Sequence, residues 1–398
     1  MAAAGGTDFD PEAPLPGPPA PWQSSAMPVQ RAGPPWLMTD MIAAEPALAG
    51  RLLRRLGDDA AVGRLAANLV AAAIAGDPIR VVGCGTSEHG AQGSALILAW
   101  ALRERLGRDV PVEAAQAFEA ALAPQNGGLV IGVSHEGGTW ATNEALAAAR
   151  GAGSRTVLLT AGDGSPGAAL ADLVVATGEM DQSWCHTIGY LSPLLAATAT
   201  AAHVTGRPLD AGAVRGALAR GTADPAAAEA VAARLADAEH LLVIASGADR
   251  PAARELALKI EEATWLPTTM RDLETFLHGH LPANGSDSGL VLLLTDERGL
   301  SARTARAIQA LAAADAVGIR VAAILSAAAD AALADAPTPT GRMLATAPAG
   351  LEGPAAALLA SVTPLQLLTE RLARARGTNP DLIRRGEPAY LEAAARAG

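Results

Sequence analysis

The chain has 398 residues, half of them apolar and only 3% aromatic, with a formal net charge of −11. That length is enough for two domains of ordinary size. The acidic balance argues against a nucleic-acid partner, which needs clustered Lys and Arg, and no apolar run approaches the roughly 20 residues of a membrane span. Cys84 and Cys185 are the only cysteines, too few for a disulfide framework, so a reducing cytoplasm is the expected compartment.

Residues 1–35 are rich in Ala, Gly and Pro. The run Pro14-Leu15-Pro16-Gly17-Pro18-Pro19 cannot form helix or central strand. It lacks the basic start and apolar middle of a signal peptide, and a disordered leader is expected. Order is expected from Trp36, with helices over 38–55 and 65–75 filling an N-terminal helical segment, 36–78. Short apolar runs then alternate with helical stretches. Strands are expected at 79–83, 110–114, 129–133, 155–159 and 173–176, with helices over 87–106 and 139–149. The pattern restarts at 241–245, followed by a helix carrying Lys259, strands at 290–295 and 319–325, a helix to about 316, and a closing helix over 354–374. This alternation predicts βαβ units and parallel sheets. Val82-Gly83-Cys84-Gly85-Thr86 echoes Ile244-Ala245-Ser246-Gly247-Ala248 at a spacing of about 160 residues. Two copies of one doubly wound α/β fold are therefore expected, 79–210 and 225–375, joined around 205–225 and followed by a tail, 376–398.

In open parallel sheets ligands sit beyond the carboxyl ends of the strands, where the strand order reverses. Three loops of the first half lie there. Gly83-Cys84-Gly85-Thr86-Ser87-Glu88-His89 pairs turn-forming glycines with two hydroxyls at a helix start. Those hydroxyls suit a polyol or an anion, or simple helix capping. Glu88 stands where a dinucleotide fingerprint needs its third glycine, so a nicotinamide-dependent dehydrogenase is a weak alternative. Ser134-His135-Glu136-Gly137-Gly138-Thr139 has the make-up of an anion cradle except for Glu136, whose charge opposes phosphate. Met180 to Thr187 is a polar third loop, with Thr187 a candidate contact.

The chain holds a single lysine, Lys259. Arginine stays protonated in proteins, whereas a lysine amine can be tuned by burial. Glu255, Lys259 and Glu262 are spaced i, i+4, i+7 and share a helix face, while Glu261 points elsewhere. Such a stripe is ordinarily a solvated ion-pair face. His278 and His280 lack a third placed ligand, so metal binding there is a weak reading.

Taken together, Gly83-Cys84-Gly85-Thr86-Ser87, Ser134 to Thr139, Glu255 to Glu262 and His278-Gly279 resemble the sugar isomerase (SIS) domain family. Within it they are most similar to the isomerase half of glucosamine-6-phosphate synthase and related isomerases and deaminases. The resemblance covers about residues 36–398 as a tandem pair of SIS domains, flavodoxin-like in fold. It implies that Gly85, Thr86 and Ser87 contact the sugar, and that Ser134, His135, Glu136 and Thr139 line a phosphate cup. It implies that Glu262 shuttles a proton between C1 and C2, that Lys259 and Glu255 orient the open chain, and that His278, from a neighbouring subunit, opens the ring. The tail from Gly377 to Arg385 resembles the family's site-covering loop. No cofactor and no metal is implied; the expected partners are a sugar or sugar phosphate and further copies of the chain, as a homodimer or larger.

Three departures qualify the resemblance. No N-terminal cysteine or amidotransferase segment is recognisable, so glutamine-dependent synthesis is not expected. The tail has arginines where the synthase has a Schiff-base lysine. Glu136 replaces a serine and could pair with an arginine, meet an amine, or mark a substrate without phosphate. The expected activity is metal-independent isomerisation or deamination of a sugar or amino-sugar phosphate; the alternative is a non-catalytic sensor of such a compound.

Overall fold

The computed structural model describes residues 9–223 and 225–397. In chain order its elements are α1 (Leu37–Gly57), α2 (Ala60–Ala75), β1 (Ile79–Gly83), α3 (Thr86–Leu106), β2 (Glu113–Gln116), α4 (Ala117–Leu122), β3 (Leu129–Val133), α5 (Trp140–Gly151), β4 (Arg155–Thr160), β5 (Leu173–Ala176) and α6 (Ile188–Thr205). There follow α7 (Ala211–Ala223), α8 (Pro225–Leu235), β6 (His240–Ala245), α9 (Asp249–Thr264), β7 (Thr268–Asp272), α10 (Leu273–Thr275), β8 (Ser288–Leu294), α11 (Leu300–Ala316), β9 (Arg320–Ser326), α12 (Ala327–Ala332), β10 (Gly341–Ala345), α13 (Pro354–Arg376) and α14 (Pro388–Ala397).

The strands form two five-stranded sheets, ordered β2-β1-β3-β4-β5 and β10-β9-β8-β6-β7, parallel throughout. Read from β7, the second sheet has the same winding as the first. The central strands β3 and β8 are buried along their whole length, as continuous apolar runs covered on both faces must be. Both sheets reverse direction between their first and third strands, β1/β3 and β6/β8, which places ligand-competent crevices there.

One apolar cluster runs through both domains. It joins α1, α3 and α6 of the first half to α9 and α13 of the second. With few aromatic residues, the seam is filled by Ala, Leu and Val from these helices. Residues 205–225, expected as a join, are built largely as helix, and α7 packs on α1 and α13.

One reading of the termini changes. Residues 9–35, expected to be disordered, lie in extended form across the first domain. Leu15 is buried; Arg51 donates to the carbonyls of Glu12 and Ala13 and to both oxygens of Glu179. Glu179 also accepts the Leu15 N–H, and the Met180 N–H donates to the Pro16 carbonyl, both at 2.8 Å. Proline bars regular structure but not docking of an extended segment onto specific partners. At the other end, Asp381 accepts the backbone N–H groups of Leu37 and Met38, each at 2.8 Å. The tail thus satisfies free donors at the start of α1.

Candidate active site

The turn after β1 is shaped by its glycines. A side chain at Gly83 would strike the Ser87 carbonyl, and Gly85 sits at φ 60°, ψ −130°, where only glycine is at ease. The turn therefore lies tight against α3. Thr86 begins that helix but makes no side-chain cap. Its hydroxyl reaches into the second domain and donates to Glu255 Oε1 at 3.3 Å. One turn later His89 Nδ1 lies 2.7 Å from Glu255 Oε2.

The charged face of α9 is not solvated. Glu255 and Lys259 are each 1% exposed, because α9 is clasped between α3 and α13. The ammonium lies 3.7 Å from Glu255 and in direct hydrogen-bond contact with Glu262. Burial alone would push the Lys259 amine down, but Glu262 and Glu255 outweigh it and hold it above the ordinary range. Burial pushes the Glu255 carboxyl up; Lys259, His89 and Thr86 together overcome this and hold it below the usual range. Glu262 is the reverse: burial raises its carboxyl above the usual range despite Lys259. Of the three, Glu262 alone is partly open, at 23%.

Glu262 opens on a cavity of about 400 Å³. Its walls include Gly85, Thr86 and Ser87 from the first loop, and His135, Glu136 and Thr139 from the second. Ser134 lies just beneath, its hydroxyl 3.2 Å from that of Thr139. Seven of the twelve residues singled out from the sequence line this space, and Glu255 and Lys259 back it. Thr187 does not: it is fully buried, and its hydroxyl has no hydrogen-bond partner among the described residues. His278 does not either. It is 70% exposed and paired with Glu274, which also binds Arg306.

The cavity also has walls that sequence reasoning missed. Trp184 and His186 come from the third loop, and Trp22 and Ser24 from the leader. The Trp22 indole N–H donates to the Glu136 carbonyl at 2.9 Å, and the Ser25 N–H to Glu136 Oε2 at 3.1 Å. A bulky aromatic set in a proline-rich stretch, in a chain so poor in aromatics, was the available signal. The third loop is organised by Asp181, whose Oδ2 accepts the N–H groups of Thr187, Ile188 and Gly189 at the start of α6. The Asp181 N–H donates to His135 Nε2 at 2.9 Å, which fixes that nitrogen as an acceptor and the ring as neutral. Burial and the neighbouring His186 bring His135 down to about 4; burial and Lys259 bring His186 to about 4 as well.

In the second sheet the matching turns are tied to each other. Buried Asp249 accepts the N–H groups of Thr295 and Asp296 and the Thr295 hydroxyl. Asp296 accepts the Ala248 N–H and pairs with Arg303 at 2.8 Å. The end of the Arg303 guanidinium occupies the space beside Gly247. The turn after β8 borders a separate cavity of about 350 Å³, lined by Thr295 to Arg298 with Trp100 and Glu352; the buried charges of α9 reach the crevice of the first repeat, through Glu262. No group of three or more His, Cys, Asp or Glu among the described residues could hold a metal ion, and no described helix is long and apolar enough to cross a membrane.

Comparison with known proteins gives the same division of the chain. The sequence profile described as "SIS domain" matches residues 77–202 and again 234–370. The chain belongs to the SIS domain family. Its fold is shared with the C-terminal domain of glucosamine-fructose-6-phosphate aminotransferase from Francisella tularensis, at 19% identity and TM-score 0.70, covering 89% of this chain and 100% of that one. Tagatose-6-phosphate ketose/aldose isomerase from Escherichia coli superposes at TM-score 0.70 and 18% identity, over 89% of this chain and 98% of that one. Glucosamine-6-phosphate deaminase from Thermotoga maritima does so at TM-score 0.56 and 16% identity, over 84% and 96%. No curated protein sequence matches the chain. In this SIS protein both repeats keep the flavodoxin-like strand order, and the cavity that Glu262 reaches lies at the first.

Proposed function

We propose that this SIS protein binds the open chain of a sugar derivative in the cavity and moves a proton between adjacent carbons C1 and C2. The outcome is aldose–ketose isomerisation or, for an amino sugar, the related deamination. The observation that carries this reading is the position of Glu262. It is the one member of a buried Glu–Lys–Glu set that reaches the cavity, and it does so opposite the hydroxyl-bearing turns of the first domain.

The Glu262 carboxylate takes the proton from one carbon, leaving an enediol or enolamine, and returns it to the next. Its raised carboxyl pKa suits both halves of that exchange. Lys259 remains charged and steadies negative charge that develops on the substrate oxygen and on Glu262. Glu255, locked by Thr86 and His89, keeps the ammonium in place and holds the two domains in register across the cavity. These steps use protein groups alone. His278, exposed and absent from this cavity's walls, would serve the site of a second copy in a homodimer. The solved structures that share the fold include an isomerase and a deaminase of sugar phosphates; whether the substrate here carries phosphate depends on the cup around Glu136.

The test is Glu262→Gln, read by proton NMR in heavy water on a sugar that shifts the melting temperature of the unaltered chain. Deuterium uptake at C2 should fall by about 10³-fold, within the range of a lost general base, while melting moves by only a few degrees. Uptake that survives the substitution refutes the role given to Glu262.

A further inference from the structure

The cavity is poorly made for an anion. Glu136 and Glu262 both reach its wall, and among the described residues no arginine or lysine does. Lys259 is buried between its two glutamates. Arg385 stacks on the Trp184 ring at 4.8 Å and lines the adjacent cleft, along with Glu261 and Glu262. The two cavity imidazoles are uncharged at neutral pH.

The turn between β3 and α5 is also narrowed by the leader. The Trp22 ring presses on Gly138 so closely that a Cβ there would lie 2.5 Å from it. Glu136 has no cationic partner: Oε2 accepts the Ser25 N–H, and Oε1 makes no hydrogen bond to the described residues. A phosphate placed here would meet the half-buried Glu136 carboxylate with no counter-charge between them, which is unfavourable. An ammonium or hydroxyl would find a free acceptor, and the indole wall suits the apolar face of a carbon chain.

Resting on the sugar-isomerising role proposed above, we propose that the substrate is an unphosphorylated sugar or amino sugar. Its amine or hydroxyl donates to Glu136, and the leader segment Trp22–Ser25 forms a wall of its binding site. Glu136 then has two tasks: it anchors the leader through one oxygen and reads the substrate through the other.

The experiment is isothermal titration of the full chain with matched pairs: glucose, fructose and glucosamine, each against its 6-phosphate. At least one unphosphorylated sugar should bind, about tenfold or more tighter than its phosphate ester. Glu136→Ser should weaken the unphosphorylated member and tighten its ester, narrowing the ratio by about tenfold. Trp22→Ala should weaken the unphosphorylated member without favouring the ester. Esters that bind the unaltered chain as tightly as their parents, or tighter, overturn the inference. If such an ester then shows Glu262-dependent deuterium uptake at C2, the proton-transfer role survives and only the assignment of the cup is lost. If no member of any pair binds, both fall.

Discussion

Replacing Lys259 by methionine would remove the chain's one amine while keeping most of its stem. In the folded protein the ammonium is 1% exposed, with Glu255 3.7 Å away on one side and Glu262 in contact on the other. Taking one partner out of a buried ion pair costs about 3–5 kcal/mol, because the partners left behind keep their desolvation penalty. If both domains unfold together, unfolding entropy of about 2.1 cal/mol/K per residue converts 4 kcal/mol into a fall of about 5 °C in Tm. Glu255→Gln in the Lys259→Met background should recover part of that loss by removing an uncompensated charge. Turnover should fall by about 10²–10³-fold, the scale for losing a group that stabilises developing charge. Whatever activity remains should show its acid limb, set by ionisation of Glu262, at higher pH, since an opposite charge no longer holds that carboxyl down. Calorimetry and a pH–rate profile provide the readings. A stability loss under about 1 kcal/mol with unchanged turnover would mean that the stripe behaves as a surface ion-pair face, and the reasoning would fail.

His135 makes stability fall with acid. Its folded-state pKa of about 4 lies below the ordinary 6.5, so between those values the unfolded chain binds the extra proton; stability falls as pH drops through 6.5 and levels off below 4. The full loss is about 3 kcal/mol. Chemical denaturation across that window should show it on top of a similar contribution from His186, and His135→Gln, which can still accept the Asp181 N–H, should remove about half of the combined slope. Gly83→Ala drives a methyl into the Ser87 carbonyl; it should cost about 1–3 kcal/mol and weaken ligand binding as Thr86 shifts from Glu255. Wild-type stability and affinity in that variant would show that the turn is slack.

The tandem fold was legible because its central strands are buried on both faces and so read as unbroken apolar runs. The strands that sequence reasoning missed or misplaced are at sheet edges. β7, Thr268–Asp272, is polar and half open; β10, Gly341–Ala345, alternates; β2 begins at Glu113, past the apolar but proline-broken Val110-Pro111-Val112. An edge strand faces one neighbour, and its sequence carries half the signal. In the site, strand-end topology put the loops of Thr86 and Glu136 together, while only the family resemblance added Glu262 to them. Helical spacing identified the shared face of Glu255, Lys259 and Glu262 but could not tell whether the other domain covers it. Thr187 was misjudged for the same reason: its loop is polar, yet Asp181 folds that loop back and buries the hydroxyl. The leader was unreadable because proline-rich composition gives no indication of tertiary partners such as Arg51, Glu179 and Glu136.

Glu255 belongs to the second repeat, yet its carboxylate is held by Thr86 and His89 of the first. A sliding motion of one repeat against the other by little more than an ångström would cut those bonds and free the acid to compete for the ammonium. The acidity of the Glu255 carboxyl is thus tied to the alignment of the two repeats, since part of what lowers it comes from each.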